Sequence, residues 1–489
     1  MSKKYIILLL LINTFISFSQ DILSTISLEL KGNRDVFQIV DNSSKKTILF
    51  LSDRKKVNSF LLNAKMETLD SLSFERPEKK YTEIIGFSGE KSRPTIFWST
   101  PNHKEIYSQV YDFNTRQIQT KTYRLDFKGE NHLQFFCENQ KFYILTVIEN
   151  SNKLKLYVFD EKVSYEEKII DFSNFSFLAP LYTNPLLSTA LKDNHVITDS
   201  FTLERIIPGG KTSLVESSKK RKCYVINNQI AITLDIVPKS TQLITIDLKT
   251  YTPNLVVFSN PEFPKGEEVN SNSFLIDNKL FQLSLSSSKM FCTIKDLNGN
   301  LIKEYTAEEG DSIKFKNSEI VRLNSYSSSK RVLEQTYQFL NKVNNEHCGI
   351  SCFKDNDIYL VTVGSVSNIR ASGGGMATTG MPGYMGMPIG GTGFGNPQFF
   401  IAFGSYNSSL DNFNSYANRK VVFINCLFDT DGNHIEGEPK ANSFDKMKTF
   451  AENLDVKLES KTIFKQDETY FLGYYNDMIK QYILRSFKN

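Results

Sequence analysis

The chain has 489 residues, with 58 lysines and arginines against 54 aspartates and glutamates and a formal net charge of +4. That balance argues against a nucleic-acid partner, and the short basic stretch Lys219-Lys220-Arg221-Lys222 reads as a solvated turn. Aromatic residues make up 12%, nearly all Phe and Tyr beside the single Trp98, which favours a β-rich core over disorder.

The first element in chain order is an export signal. Lys3 and Lys4 supply a positive start, Tyr5 to Ile12 form an apolar run, and Ser17-Phe18-Ser19 offers small residues at the cleavage-specifying positions. A signal peptide over residues 1–19 and a mature start at Gln20 are expected, with a mature charge of +2 once Lys3 and Lys4 are removed from +4. The apolar run is well short of the roughly 20 residues a spanning helix needs, so no transmembrane segment is expected.

A strand–turn–strand unit then recurs, its second strand ending at an aspartate followed by a turn. Copies run Tyr143 to Ile148 with Leu154 to Asp160, Ile230 to Ile236 with Leu243 to Asp247, and Leu280 to Leu285 with Met290 to Asp296. Looser copies end at Asp112 and Asp429, an early one joins Thr47–Leu51 to Val57–Leu62, and a last one joins Tyr470–Tyr475 to Ile479–Leu484. The spacing is 48 residues from Asp112 to Asp160 and 49 from Asp247 to Asp296. Asp160 to Asp247 is 87, close to two steps, which places a missing copy near His195-Val196-Ile197-Thr198. A period in the upper forties is the repeat length of four-stranded propeller blades. The expected fold is therefore all-β: a β-propeller of about seven four-stranded blades, six to eight being admissible, as one domain over residues 20–489. Stacked sheets of this kind bury one another's apolar faces and leave only short edges.

Two segments break the β pattern. Ser327 to Val343 reads as an amphipathic helix, and Ser443 to Leu454 as a shorter one with Phe444, Met447 and Phe450 at helical spacing. Between them, residues 365–420 read as an expansion of the turn between the strands Ile358–Val363 and Val421–Asp429, with a short strand Phe399 to Phe403 inside it. Its Gly- and Met-rich core, residues 371–397, holds four of the nine methionines and reads as a mobile loop. Met376, Met381, Tyr384, Met385, Met387 and Phe394 are the candidate binding residues, able to dock on an apolar partner or an envelope protein. Thioethers from Met381, Met385 and Met387 could also ligate Cu(I), the least favoured of the three readings of this loop.

Chemistry-bearing motifs are sparse. Cys137, Cys223, Cys292 and Cys426 lie in or beside expected strands as small buried hydrophobes. His347, Cys348 and Cys352 look like a metal or redox cluster, yet on a strand the two thiols stand about 13 Å apart, too far to bridge. Asp429-Thr430-Asp431-Gly432-Asn433 begins like a calcium loop but lacks Gly and Glu where an EF-hand needs them, and reads as a hairpin turn. Nucleophile-elbow, zincin, P-loop and dinucleotide patterns are absent, so no catalytic residue, cofactor or metal is assigned. Of the five histidines, His103, His132 and His434 lie beside expected turns with no partner visible in sequence.

The cleavage region Ser17-Phe18-Ser19-Gln20, the Gly/Met loop, and the ending Tyr470-Phe471-Leu472-Gly473-Tyr474-Tyr475 with Tyr482-Ile483-Leu484-Arg485 resemble exported, β-propeller-like proteins of Bacteroidota. That resemblance implies no activity and no site residues. Many such proteins carry a C-terminal sorting domain; here the last residues read as a blade strand, so periplasmic residence is expected rather than surface display. The leading functional expectation is a non-catalytic binding or scaffolding module of the cell envelope, contacting a partner through the face bearing residues 365–420. The alternative is a propeller hydrolase acting on glycans or peptides with acidic residues at the channel mouth.

Overall fold

The computed structural model describes residues 22–32, 35–90, 92–160, 164–194, 199–207, 209–324, 329–368, 419–453 and 459–488. They fold as strands almost throughout, in two compact units: Met1–Ser71 with Ala441–Asn489, and Leu72–Lys440.

Strand β1 (Ile22–Ser27) pairs with the last strand of the chain and is taken up with it below. Strands β2 (Asp35–Asp41), β3 (Lys46–Ser52), β4 (Lys56–Leu62) and β5 (Thr68–Glu75) form an antiparallel meander. The same meander is built by β6 (Glu83–Ser88), β7 (Thr95–Ser99), β8 (Glu105–Asp112) and β9 (Gln117–Arg124). It recurs in β10 (Glu130–Glu138), β11 (Lys141–Ile148), β12 (Lys153–Phe159) and β13 (Tyr165–Asp171).

After β13 the chain leaves the pattern. Helix α1 (Leu187–Leu191), the two-residue strands β14 (Asp193–Asn194) and β15 (Asp199–Ser200), β16 (Glu204–Ile206) and helix α2 (Leu214–Ser217) precede the next meander. That meander is β17 (Arg221–Ile226), β18 (Gln229–Val237), β19 (Ser240–Asp247) and β20 (Pro253–Ser259), with β16 added in parallel to β17. No four-stranded sheet lies between β13 and β17 among the described residues, and His195–Thr198 fall outside them. The 87-residue interval is one repeat carrying an excursion, not two repeats.

Strands β21 (Asn270–Ile276), β22 (Lys279–Leu285), β23 (Lys289–Asp296) and β24 (Leu301–Glu308) follow as a further meander. The next sheet departs from it, in the order β26-β25-β29-β28-β27. Its strands are β25 (Ile320–Asn324), β26 (Ser329–Leu333), β27 (His347–Asp355), β28 (Ile358–Val366) and β29 (Lys420–Asp429). The place beside β29 is taken by β25, from about a hundred residues earlier, with Val321 opposite Phe423. Residues expected as one helix from Ser327 are split: β26 is an edge strand, and only α3 (Thr336–Asn344) is helical, burying Phe339, Leu340 and Val343. Helix α4 (Ser443–Glu452) agrees with expectation and starts in a capping box, Asn442 accepting from the Asp445 N–H and Asp445 from the Asn442 N–H. Finally β30 (Glu459–Gln466), β31 (Thr469–Asn476) and β32 (Gln481–Lys488) complete a four-stranded sheet with β1 at its edge.

Local chemistry explains the recurrence. First and second strands are joined by two-residue turns with both residues at positive φ: Asn139-Gln140, Asn227-Asn228 and Asp277-Asn278. This is the geometry whose twist matches flanking strands, and Asn and Asp tolerate it best. Third strands end at aspartates because the carboxylate closes the next turn. The Asp247 Oδ1 accepts from the Lys249 and Thr250 N–H groups at 2.8 Å, and Asp429 Oδ1 accepts from those of Asp431 at 2.9 Å and Asn433 at 2.7 Å. Hydrogen bonds from the turn, led by the Thr250 N–H at Asp247 and the Asn433 amide at Asp429, hold both carboxyls below the usual range.

Second strands such as β11 are buried on both faces, and alternate residues face alternate neighbours. Within the larger unit, Phe135, Phe142 and Ile144 pack against Phe97 and Ile106 of the preceding sheet. Phe136, Tyr143 and Leu145 pack against Ile230 and Ile232 of the following one. A fully buried Phe142 contributes about 2–3 kcal/mol by this burial. No helix among the described residues is long and apolar enough to cross a membrane.

Candidate functional site at the ends of two neighbouring sheets

The six loop residues singled out from sequence, Met376, Met381, Tyr384, Met385, Met387 and Phe394, lie outside the described residues, as does Phe399 to Phe403. The His347 cluster does not assemble: His347 is exposed and its Nε2 meets Asn368 Oδ1 at 2.9 Å, while Cys348 and Cys352 are buried free thiols. Burial raises the pKa of both. The basic stretch is not a solvated turn either. Lys222 is fully buried, its Nζ donating to Asp235 Oδ2 at 2.7 Å, Asn272 Oδ1 at 2.8 Å and the Lys219 carbonyl at 2.7 Å. Asp235 also accepts from Thr241 and Ser273. Burial lowers the Lys222 pKa and Asp235 opposes that shift. With every partner satisfied and both side chains sealed from water, this network fixes the core and offers no access to a substrate.

Two of the partnerless histidines do come together. Glu83 opens β6, opposite Ser99 at the end of β7. His103 sits in the following turn at φ 58°, a left-handed conformation histidine tolerates better than most residues. His132 stands near the start of β10 in the next sheet, its ring 5.3 Å from that of His103. Phe135 closes the group, 5.0 Å from His103 and 4.1 Å from His132. Each contributing first strand has a bulge here, at Ile85 in β6 and Leu133 in β10. An extra residue bends a strand and re-aims its neighbours, which is common beside functional sites.

Burial and one serine set the electrostatics of this group. Ser99 donates to the Thr100 carbonyl at 2.8 Å and lies 3.1 Å from His103 Nδ1. With its hydroxyl given to the Thr100 carbonyl, Ser99 can accept from Nδ1–H, the tautomer that leaves the lone pair on Nε2. Glu83 Oε2 lies 3.9 Å from the same Nδ1. Burial pushes the Glu83 carboxyl up and the His103 imidazole down, so an acid and a base converge. Burial, aided by neighbouring His103, drives His132 down to about 3, and its Nε2 is buried without a hydrogen-bond partner. Side chains of Glu83 and His103 remain 31% and 26% exposed, so solvent and small molecules reach them. His434 stands apart, its Nε2 3.0 Å from Asn317 Oδ1.

Among the described residues no group of three or more His, Cys, Asp or Glu is arranged to hold a metal ion. No family model matches the chain. No curated protein matches it. Among solved structures, the cobalt-substituted apocarotenoid oxygenase of Synechocystis is similar over 58% of this chain and 63% of its own, at 10% identity and TM-score 0.29. A point mutant of that oxygenase covers 57% and 62% at 9% identity and TM-score 0.30. A chimera of it with RPE65 covers 58% and 63% at 9% identity and TM-score 0.29. The chain thus spans less than two thirds of the length of these structures. These structures are of oxygenases, and they match neither the expected non-catalytic binding or scaffolding module nor the alternative hydrolase. Likeness this weak transfers no oxygenase activity to this chain.

Proposed function

We propose that the chain is an exported seven-bladed propeller enzyme that moves a proton at His103. The seven larger sheets among the described residues are the blades, five of them meanders in chain order, and the pairing of β1 with β32 supports a ring in which one blade joins an early strand to three late ones. In this reading His103 Nε2 is the general base, Ser99 fixes the tautomer, and Glu83 steadies the imidazolium once it forms. His132 and Phe135 form an apolar wall that keeps the imidazole neutral at rest. The single observation that carries the reading is the Ser99 hydroxyl between the Thr100 carbonyl and His103 Nδ1, beside the Glu83 carboxyl and a partly exposed imidazole.

The test is exchange of α-protons of small carbonyl compounds in D2O, followed by NMR. Exchange faster than with free imidazole, and about a hundredfold slower in H103N, supports the reading; wild-type exchange no faster than free imidazole refutes it. Export is tested separately by the mature N-terminus recovered from a bacterial host, expected at Gln20.

A further inference from the structure

The excursion after β13 builds a feature that the proton-transfer site does not use. Residues 172–191 carry no charged side chain. The base of this segment is held firmly. Leu178 exchanges two hydrogen bonds with the Gln242 amide, N–H to Oε1 at 2.7 Å and Nε2 to carbonyl at 2.9 Å, and Gln242 is fully buried. At the other end the Leu187 N–H donates to Asn152 Oδ1 at 2.7 Å, and Phe177, Leu187 and Leu191 enter the core.

Between those anchors the chain turns outward. Ala179-Pro180-Leu181-Tyr182 is a tight turn, closed by the Tyr182 N–H to the Ala179 carbonyl at 3.4 Å, with Pro180 at the position proline prefers. Leu181 holds φ 66°, where such turns place Gly or Asn, and its side chain is 101% exposed. Tyr182 at 54%, Leu178 at 40% and Leu186 at 38% surround it. A leucine kept in an unfavourable backbone conformation and pushed wholly into water is costly twice over, which points to a use for it.

We propose that residues 178–186 form a finger that inserts into the interface of a lipid bilayer. A protein groove would be met by the polar and charged rim that surrounds such interfaces, and this segment offers no charge and only Thr183 and Asn184 as polar side chains. A bilayer interface requires only apolar bodies with a wet tip, which three leucines and the Tyr182 ring provide. Their apolar content is comparable to one acyl chain, which gives weak and reversible attachment. Because no charge takes part, the attachment does not depend on salt. The proposal is independent of the His103 reading.

The probe is flotation of the full chain with phosphatidylcholine vesicles, at low and high salt, for wild type, L181S, L181S/Y182S and the control M478S, which removes another largely exposed apolar side chain elsewhere. Wild type and M478S should partition alike at both salt levels, L181S about tenfold less, and the double variant less again. Circular dichroism confirms folding, and L181G, which relieves the backbone, should float poorly although it folds at least as well as wild type. Absence of wild-type flotation overturns the proposal, as does flotation that the variants leave unchanged or that salt abolishes. Concentration-dependent self-association lost in L181S without vesicle binding overturns it too, assigning the finger to a second copy of the chain.

Discussion

Glu83 and Glu130 hold the same place in neighbouring sheets: each is the first residue of the first strand, and they are 47 residues apart (130 − 83). Their surroundings differ completely. Glu130 accepts from Thr146 Oγ1 at 2.8 Å, Lys155 Nζ at 2.9 Å and the Tyr157 hydroxyl at 3.0 Å, and its side chain is 8% exposed. Glu83 has a neutral imidazole at 3.9 Å and a raised pKa instead of a lysine. The repeat decides where a carboxylate stands; the residues facing it decide whether it is a brace or a reactive group.

The largest effect expected at this pair of sheet ends concerns His132. Its folded pKa of about 3 lies below the ordinary 6.5, so the unfolded chain takes up the proton first as pH falls. The contribution is fully present above pH 6.5 and is lost on acidification towards pH 3, on the order of 4 kcal/mol in total. Urea titrations across that window should show the loss in wild type and a flatter profile in H132F. Removing the brace comes next: E130Q leaves Lys155 with Glu167 as its remaining carboxylate partner and takes the charge out of a three-donor cluster, and the midpoint of unfolding should report a cost of about 2 kcal/mol. α-Proton exchange should survive that change.

At the other carboxylate the pattern should reverse. H103N is expected to lower exchange about a hundredfold, and E83Q about tenfold, since the latter only removes support for the imidazolium. The smallest effect is the stability of E83Q, within about 0.5 kcal/mol of wild type at neutral pH. Glu83 binds its proton more readily when folded, so its stabilising contribution is present below about pH 4.5 and fades as pH rises through the raised value. A marked loss of stability in E83Q at pH 7 would show that Glu83 too is a brace, and the contrast would collapse.

Much of the architecture could be read from the chain because it is written locally. β11, β18 and β22 are near-continuous apolar runs, and the aspartates closing β8, β19, β23 and β29 cap their own turns. The paired positive-φ turns at Asn139-Gln140, Asn227-Asn228 and Asp277-Asn278 are equally local. β25 and β26 could not be read, because β25 is made a strand by β29, a hundred residues away, and Ser329–Leu333 is a polar edge. The site was hidden for the same reason. Glu83, His103 and His132 belong to two sheets, and only the repeat spacing, applied to Glu83 and Glu130, would have placed their ends side by side. The uncharged stretch with Pro180 in it was visible, but its exposure depends on Gln242, a residue of another sheet.

β1 and β32 run antiparallel, Ile26 facing Tyr482 and Thr25 facing Ile483. An early strand therefore waits for one made about 450 residues later before that sheet is whole. Loop closure over such a distance is slow, and until it happens the flank of β32 stays open to any stray strand. A nascent chain stalled before residue 481 would be the species that chaperones and proteases meet.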